Sequence, residues 1–72
     1  MPRRILGIDP GLTRCGLGIV DAHGRQRVEF VHVSVVTSAP GDELQRRLRL
    51  LADGIEAVLD EFKPDAIALE RV

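Results

Sequence analysis

The chain has almost none of the devices that ordinarily staple a very small domain. It holds one cysteine, Cys15, among 72 residues, so no internal disulfide can form. A lone thiol fits a reducing compartment, and the cytoplasm is the expectation. His23 and His32 are the only histidines, and with one Cys they make no zinc-type Cys/His cluster. Trp and Tyr are absent and aromatic residues amount to 3%, so large rings do not compensate. No apolar run approaches the ~18 residues of a membrane span. The run behind Arg3 and Arg4 stops at Asp9, short of the roughly 7 to 15 apolar residues of a signal peptide.

What is present is ordinary globular composition, 44% hydrophobic and 29% charged, which argues against disorder. There is room for one domain. A domain this small buries only about 60% of its unfolded surface and is marginal without staples. A piece of a longer protein, or a subunit completed by a partner, is therefore expected. The formal net charge of -1 hides an asymmetry: residues 1–27 carry +3 and residues 28–72 carry -4. Near neutrality is not the mark of a nucleic-acid binder. Any phosphate contact has to come from a local basic patch, for which the N-terminal third is the candidate, although a solvated surface explains the same charges.

Residues 4–8, mostly apolar and bounded by Pro10-Gly11, predict a first strand. Residues 16–20 predict a second, whose two glycines point to a close backbone approach or a bulge. After a turn at His23-Gly24 the run 27–37 predicts a third. Its apolar positions change parity at Phe30-Val31, which calls for a bulge there or burial on both faces. His32, flanked by valines, reads as a surface or satisfied sheet histidine.

Leu44, Leu48, Leu51, Ile55, Val58 and Phe62 form one stripe of an amphipathic helix. Asp42 is the candidate N-cap with Gln45 as its reciprocal partner, and Pro64 stops the helix after Lys63. Arg46, Arg47, Arg49, Asp53, Glu56 and Asp60 fall mainly on the polar side, read as solvated, with Arg49 and Asp53 an i,i+4 pair. Gly54 costs about 1 kcal/mol relative to Ala and marks a candidate point of tight packing against the sheet. Residues 66–69 are continuously apolar, the pattern of a parallel strand buried on both faces. The order is β-β-β-α-β: an antiparallel meander, then a right-handed crossover to a strand parallel to the first.

Asp9 closes the first strand and Glu70 the fourth. Ligands gather beyond the carboxyl ends of parallel strands, and neighbouring strands lie about 4.8 Å apart. Two acids so placed can share a hard cation such as Mg²⁺, which takes oxygen ligands from one or two carboxylates, waters and substrate phosphates. Singly each acid has a plain explanation: Asp before Pro-Gly opens turns, and Glu at a strand end is commonly just solvated. Their joint placement makes a candidate divalent-metal site, and pattern alone goes no further.

The segment ILGIDPGLTRCG, Ile5 to Gly16, closely resembles the start of RuvC-type Holliday-junction resolvases, and KPDAIALERV, Lys63 to Val72, resembles the stretch that carries their second catalytic acid. The β-β-β-α-β order is similar to the first half of their ribonuclease-H-like α/β fold. The resemblance implies that Asp9 and Glu70 are the first two metal-binding, catalytic carboxylates. It further implies two Mg²⁺ ions per complete site, with Asp9 bridging both and Glu70 holding one. Hydrolysis of phosphodiesters in four-way DNA junctions follows, by a homodimer matching the junction's two-fold symmetry. Arg14, just past Asp9, is the candidate phosphate contact. Branch-migration proteins of the RuvA/RuvB type are the implied partners. Two further metal-site residues of the family lie near its C-terminus and have no counterpart in residues 1–72. The expectation is an N-terminal part of one nuclease domain, truncated after the fourth strand within a Glu-x-Val-Phe motif at Val72, and inactive alone. Cys15 reads as a small packed side chain, since no base is adjacent.

Gly-Ile-Asp-x-Gly after a strand also opens actin-like ATPases and sugar kinases, where the loop cradles ATP phosphates, but that reading leaves Glu70 unexplained. A ribonuclease-H-like nuclease of ribosomal RNA precursors shares the opening Asp motif. An inactive binding module on the same scaffold is the non-enzymatic alternative.

Overall fold

The computed structural model describes residues 1–70. Arg71 and Val72, the end of the second matching segment, lie outside the described residues. Five elements follow in the expected order: β1 (Arg3–Asp9), β2 (Arg14–His23), β3 (Arg27–Thr37), α1 (Leu44–Phe62) and β4 (Ala66–Leu69). β1 and β2 are longer than their apolar runs, because ladder pairing carries on past the hydrophobic residues to Arg3↔Ala22 at one end and Asp9↔Gly16 at the other. The sheet order is β3-β2-β1-β4, with β1/β2 and β2/β3 antiparallel and β1/β4 parallel.

Side chains alternate across a strand, and here the alternation separates a covered face from an open one. Leu6 and Ile8 of β1 and Cys15, Leu17 and Ile19 of β2 are buried with Val58 of α1. Val36, Leu51, Ile55, Leu59 and Phe62 pack around them. Cys15 is thus a core side chain, as its sequence setting implies. The parity change in β3 is a bulge. Ile19 pairs with His32 but Val20 pairs with Phe30, leaving Val31 as the extra residue. The bulge brings Phe30 to the same face as Val33 and Val35, while His32, Ser34 and Val36 lie with the core residues of β2. His32 stacks on Phe62 with ring centroids 4.6 Å apart, which makes it a packed sheet histidine. Gly16 and Gly18 keep regular register, and the irregularity falls after them.

Four expectations need correction. Asp42 does not cap α1: the N-cap is Glu43, without a side-chain cap hydrogen bond. The turn through Pro40 and Gly41 engages Asp42 instead, whose N–H donates to the Ala39 carbonyl at 3.0 Å. Its carboxylate lies 3.7 Å from Arg46, and this is the observed i,i+4 pair in place of Arg49–Asp53. β4 is not buried on both faces. It is an edge strand, α1 lies over β2 and β3, and Ile67 and Leu69 are 54% and 71% exposed. The first part of the helical stripe, Leu44 and Leu48, is also exposed. The helix ends as Pro64 requires, with Lys63 left-handed at φ 46° and its N–H donating to the Leu59 carbonyl at 2.9 Å.

Gly54 does mark a point of tight packing between helix and sheet. A Cβ there would collide with Val36 Cγ2 and stand 3.2 Å from Cγ1. The end of the sheet near the helix C-terminus is closed by charge. Arg4 donates to both Asp21 oxygens, at 2.8 and 2.9 Å, and to the Phe62 carbonyl at 3.2 Å. The hydrogen bond from Arg4 holds the Asp21 carboxyl below the usual carboxylate range, against a smaller opposing effect of desolvation.

On an open helix surface Gly54→Ala would stabilise by about 1 kcal/mol; here it is expected to cost roughly 1–3 kcal/mol by overpacking. Urea unfolding of Gly54→Ala, and of Gly54→Ala with Val36→Ala, checks this: the double variant recovers stability relative to the single one. Because the Asp21 pKa is depressed on folding, its contribution is full above the unfolded value and fades as pH falls through the folded one. Asp21→Asn is therefore expected to lower the thermal midpoint at neutral pH, with the gap from wild type closing as pH drops below about 4.

Candidate active site

The two acids meet because of strand register. β1 and β4 pair in parallel as Ile5↔Ala66, Leu6↔Ile67, Gly7↔Ala68 and Ile8↔Leu69. The next residue on each strand is Asp9 and Glu70, and the Glu70 N–H donates to the Ile8 carbonyl at 2.9 Å. The register is set at the other end. The Asp65 N–H donates to the Arg4 carbonyl at 2.7 Å, and the Arg4 N–H donates to Asp65 Oδ2 at 2.8 Å. This reciprocal pair locks the entry of β4 beside β1 before Ala66.

Asp9 and Glu70 both line a shallow cleft of about 440 Å³. Its floor is small side chains, Gly7, Gly16 and Ala68, and Val33 and Val35 rise at one side. The cleft lies on the open face, since Asp9 shares the parity of Ile5 and Gly7 rather than of the core residues Leu6 and Ile8. Gly16 is the ladder partner of Asp9, and a Cβ there would rest 3.5 Å from Asp9 Cβ, so the carboxylate has free space around it. Both acids are exposed. Among the described residues no group of three or more His, Cys, Asp or Glu gathers to hold a metal. The two acids are an oxygen-only donor pair, of the kind a hard cation takes when other ligands or a substrate phosphate complete the set.

Arg14 stands elsewhere. It is the exposed first residue of β2, paired with Thr37, and is not among the residues lining the cleft. The turn between Asp9 and Arg14 is tight, because a Cβ on Gly11 would collide with the Arg14 carbonyl oxygen. That turn is held by a network that sequence reasoning missed. Arg47 Nε donates to Ser38 Oγ at 2.9 Å and Arg47 Nη2 donates to Thr13 Oγ1 at 3.0 Å. Ser38 Oγ donates to the Leu12 carbonyl at 2.7 Å, and its N–H donates to the Thr13 carbonyl at 3.1 Å. Arg47 is thus half-buried, not part of a solvated face. Its helical position gave no signal, since its partners come from two distant segments.

An antiparallel meander, a crossover helix and a parallel edge strand, with an acid at each of two adjacent strand ends, define a ribonuclease-H-like α/β domain. A family model described as "Crossover junction endodeoxyribonuclease RuvC" matches residues 5–72. The protein of that name from Frankia alni is 54% identical over 69 residues, covering 96% of this chain and 35% of its own length. The one from Clavibacter sepedonicus is 51% identical, covering 96% and 34%. Among solved structures, "T. thermophilus RuvC in complex with Holliday junction substrate" superposes with a TM-score of 0.90 at 33% identity, over 96% of this chain and 42% of that one. The chain belongs to the RuvC family, and it spans about a third of the length of the curated relatives it matches.

Proposed function

We propose that residues 1–72 are the N-terminal part of a structure-selective endonuclease that resolves four-way DNA junctions by phosphodiester hydrolysis. The observation that carries this is the β1–β4 register, which brings Asp9 and Glu70 into one cleft. Support comes from the family match and from the similar Thermus thermophilus protein, whose structure contains a Holliday junction substrate.

The donor set fits Mg²⁺. Two exposed carboxylates line the cleft, and no thiol or imidazole lies among the lining residues. Asp9 and Glu70 would hold the metal. When bound, Mg²⁺ supplies a lowered pKa to an attacking water and charge stabilisation to the leaving oxygen, two ions serving a complete site. The chain's own contribution is placement. Asp9 is presented by the end of a strand buried on one face, Glu70 by a backbone hydrogen bond to that strand, and Gly16 leaves room beside them. Remaining ligands would come from chain beyond residue 72, as would the surfaces of a homodimer. Two such sites related by a two-fold axis match a junction's symmetry. Contacts to phosphates, with Arg14 as one candidate, would make binding weaken with salt. Branch-migration proteins of the RuvA/RuvB type are the partners this reading implies.

In the full-length protein Asp9→Asn and Glu70→Gln are each expected to lower junction cleavage by roughly 100-fold or more while junction binding in a gel-shift titration is retained. Cleavage near the wild-type rate in either variant overturns the assignment. The 72 residues alone are expected to show no Mg²⁺-dependent junction cleavage, since two carboxylates do not complete the ligand set. A purified 72-residue chain that cuts junctions contradicts this.

A further inference from the structure

The nuclease reading gives no task to the arginines of α1. Arg46, Arg47 and Arg49 lie close together, yet among the described residues only Arg47 reaches across the fold. Both of its hydrogen bonds go to hydroxyls from other elements, Thr13 before β2 and Ser38 after β3. Ser38 passes the connection on to the carbonyls of Leu12 and Thr13. All of these links converge on the four residues Pro10 to Thr13 that join β1 to β2, immediately after Asp9.

We infer that Arg47 is a positioning residue for the candidate active site: through Thr13 and Ser38 it fixes the turn that follows Asp9 and thereby the aim of the Asp9 carboxylate into the cleft. The inference deepens the nuclease reading and rests on it.

The turn needs such a fastening. Pro10 and Thr13 are exposed, and neither Gly11 nor Leu12 belongs to the buried core. Apolar burial therefore does little to order it. Gly11 leaves the turn one close path past the Arg14 carbonyl, and hydrogen bonds are what hold that path. A guanidinium presents several N–H donors in a rigid planar fork, so one side chain can tie two hydroxyls on separate segments; a lysine is a single flexible point charge. Arg46 shows the contrast. It is 73% exposed, and its partner is Asp42, four residues back in the turn that precedes its own helix.

A carboxylate that must meet other ligands at fixed positions is sensitive to small displacement, and about 1 Å of misplacement can cost on the order of 100-fold in rate. The β1/β2 ladder holds Asp9 through its backbone on one side. The Arg47 network holds the chain on the other.

The test uses the full-length protein and compares Arg47→Ala, Arg47→Lys and Arg46→Ala with wild type. Four quantities are measured: single-turnover cleavage at saturating junction, junction Kd without divalent metal, the thermal midpoint, and amide hydrogen exchange of residues 11–14. Arg47→Ala is expected to slow cleavage roughly 10- to 100-fold and to speed exchange in residues 11–14. Exchange in the strands, the thermal midpoint and the Kd are expected to hold. Arg47→Lys recovers part of the rate, and Arg46→Ala matches wild type. Arg47→Ala that cuts at the wild-type rate, or leaves residues 11–14 as protected as before, overturns the inference alone. So does a general loss of protection with a lowered midpoint, which marks a purely structural role. A wild-type protein that cuts no junction overturns the nuclease reading, and the positioning role falls with it.

Discussion

The parallel pairing of β1 with β4 is the constraint on which the rest depends. Four ladder pairs join the strands, and their phase is set outside the ladder, where Arg4 and Asp65 exchange backbone and side-chain hydrogen bonds. A shift of one residue would turn every side chain of β4 to the other face. Glu70 would then leave the cleft that Asp9 lines. Arg4 takes part twice, since its guanidinium also binds Asp21 and the carbonyl of Phe62 at the end of α1. One arginine thus ties β1, β2, the end of α1 and the entry to β4.

The opposite end of the sheet is organised in the same way. Arg47 reaches from the start of α1 to the β1–β2 turn and to the chain leaving β3. Between these two polar fastenings the core is small, with six buried residues among those described. The interior of so small a sheet cannot specify where its loops lie, and two rigid guanidinium forks do that instead. The open face is apolar and uncovered, with Val28, Phe30, Val33 and Val35 exposed along β3. Ile67 and Leu69 of the edge strand lie on the opposite face, beside Leu6 and Ile8 by register, and are exposed because α1 lies over β2 and β3. Such surface accords with a chain that spans about a third of its relatives' length.

Much of the fold is legible in the residues because their periodicity is local. Val28 to Val35 changes parity once, and the bulge falls there. The helical stripe ends where Pro64 stops it. The start of α1 departs from the pattern because Asp42 and Gln45 satisfy a capping motif, while the Pro40-Gly41 turn claims Asp42 for its own backbone bond. β4 is less buried than its composition suggests because apolar composition states what a strand can tolerate, and only its neighbours decide what covers it. The opening motif alone is shared by nucleases and ATP-binding folds; the family match decides among them.

Element type, order and the candidate acids follow from the amino-acid pattern, since strand alternation, helical stripes and turn residues act over a few positions. The meeting of Asp9 with Glu70 and the hold of Arg47 on Thr13 belong to the tertiary structure. They join residues separated by 61 and 34 positions, and no short-range periodicity carries the phase of a strand across so much chain. That phase is set by the Arg4–Asp65 lock, whose partners are themselves 61 residues apart.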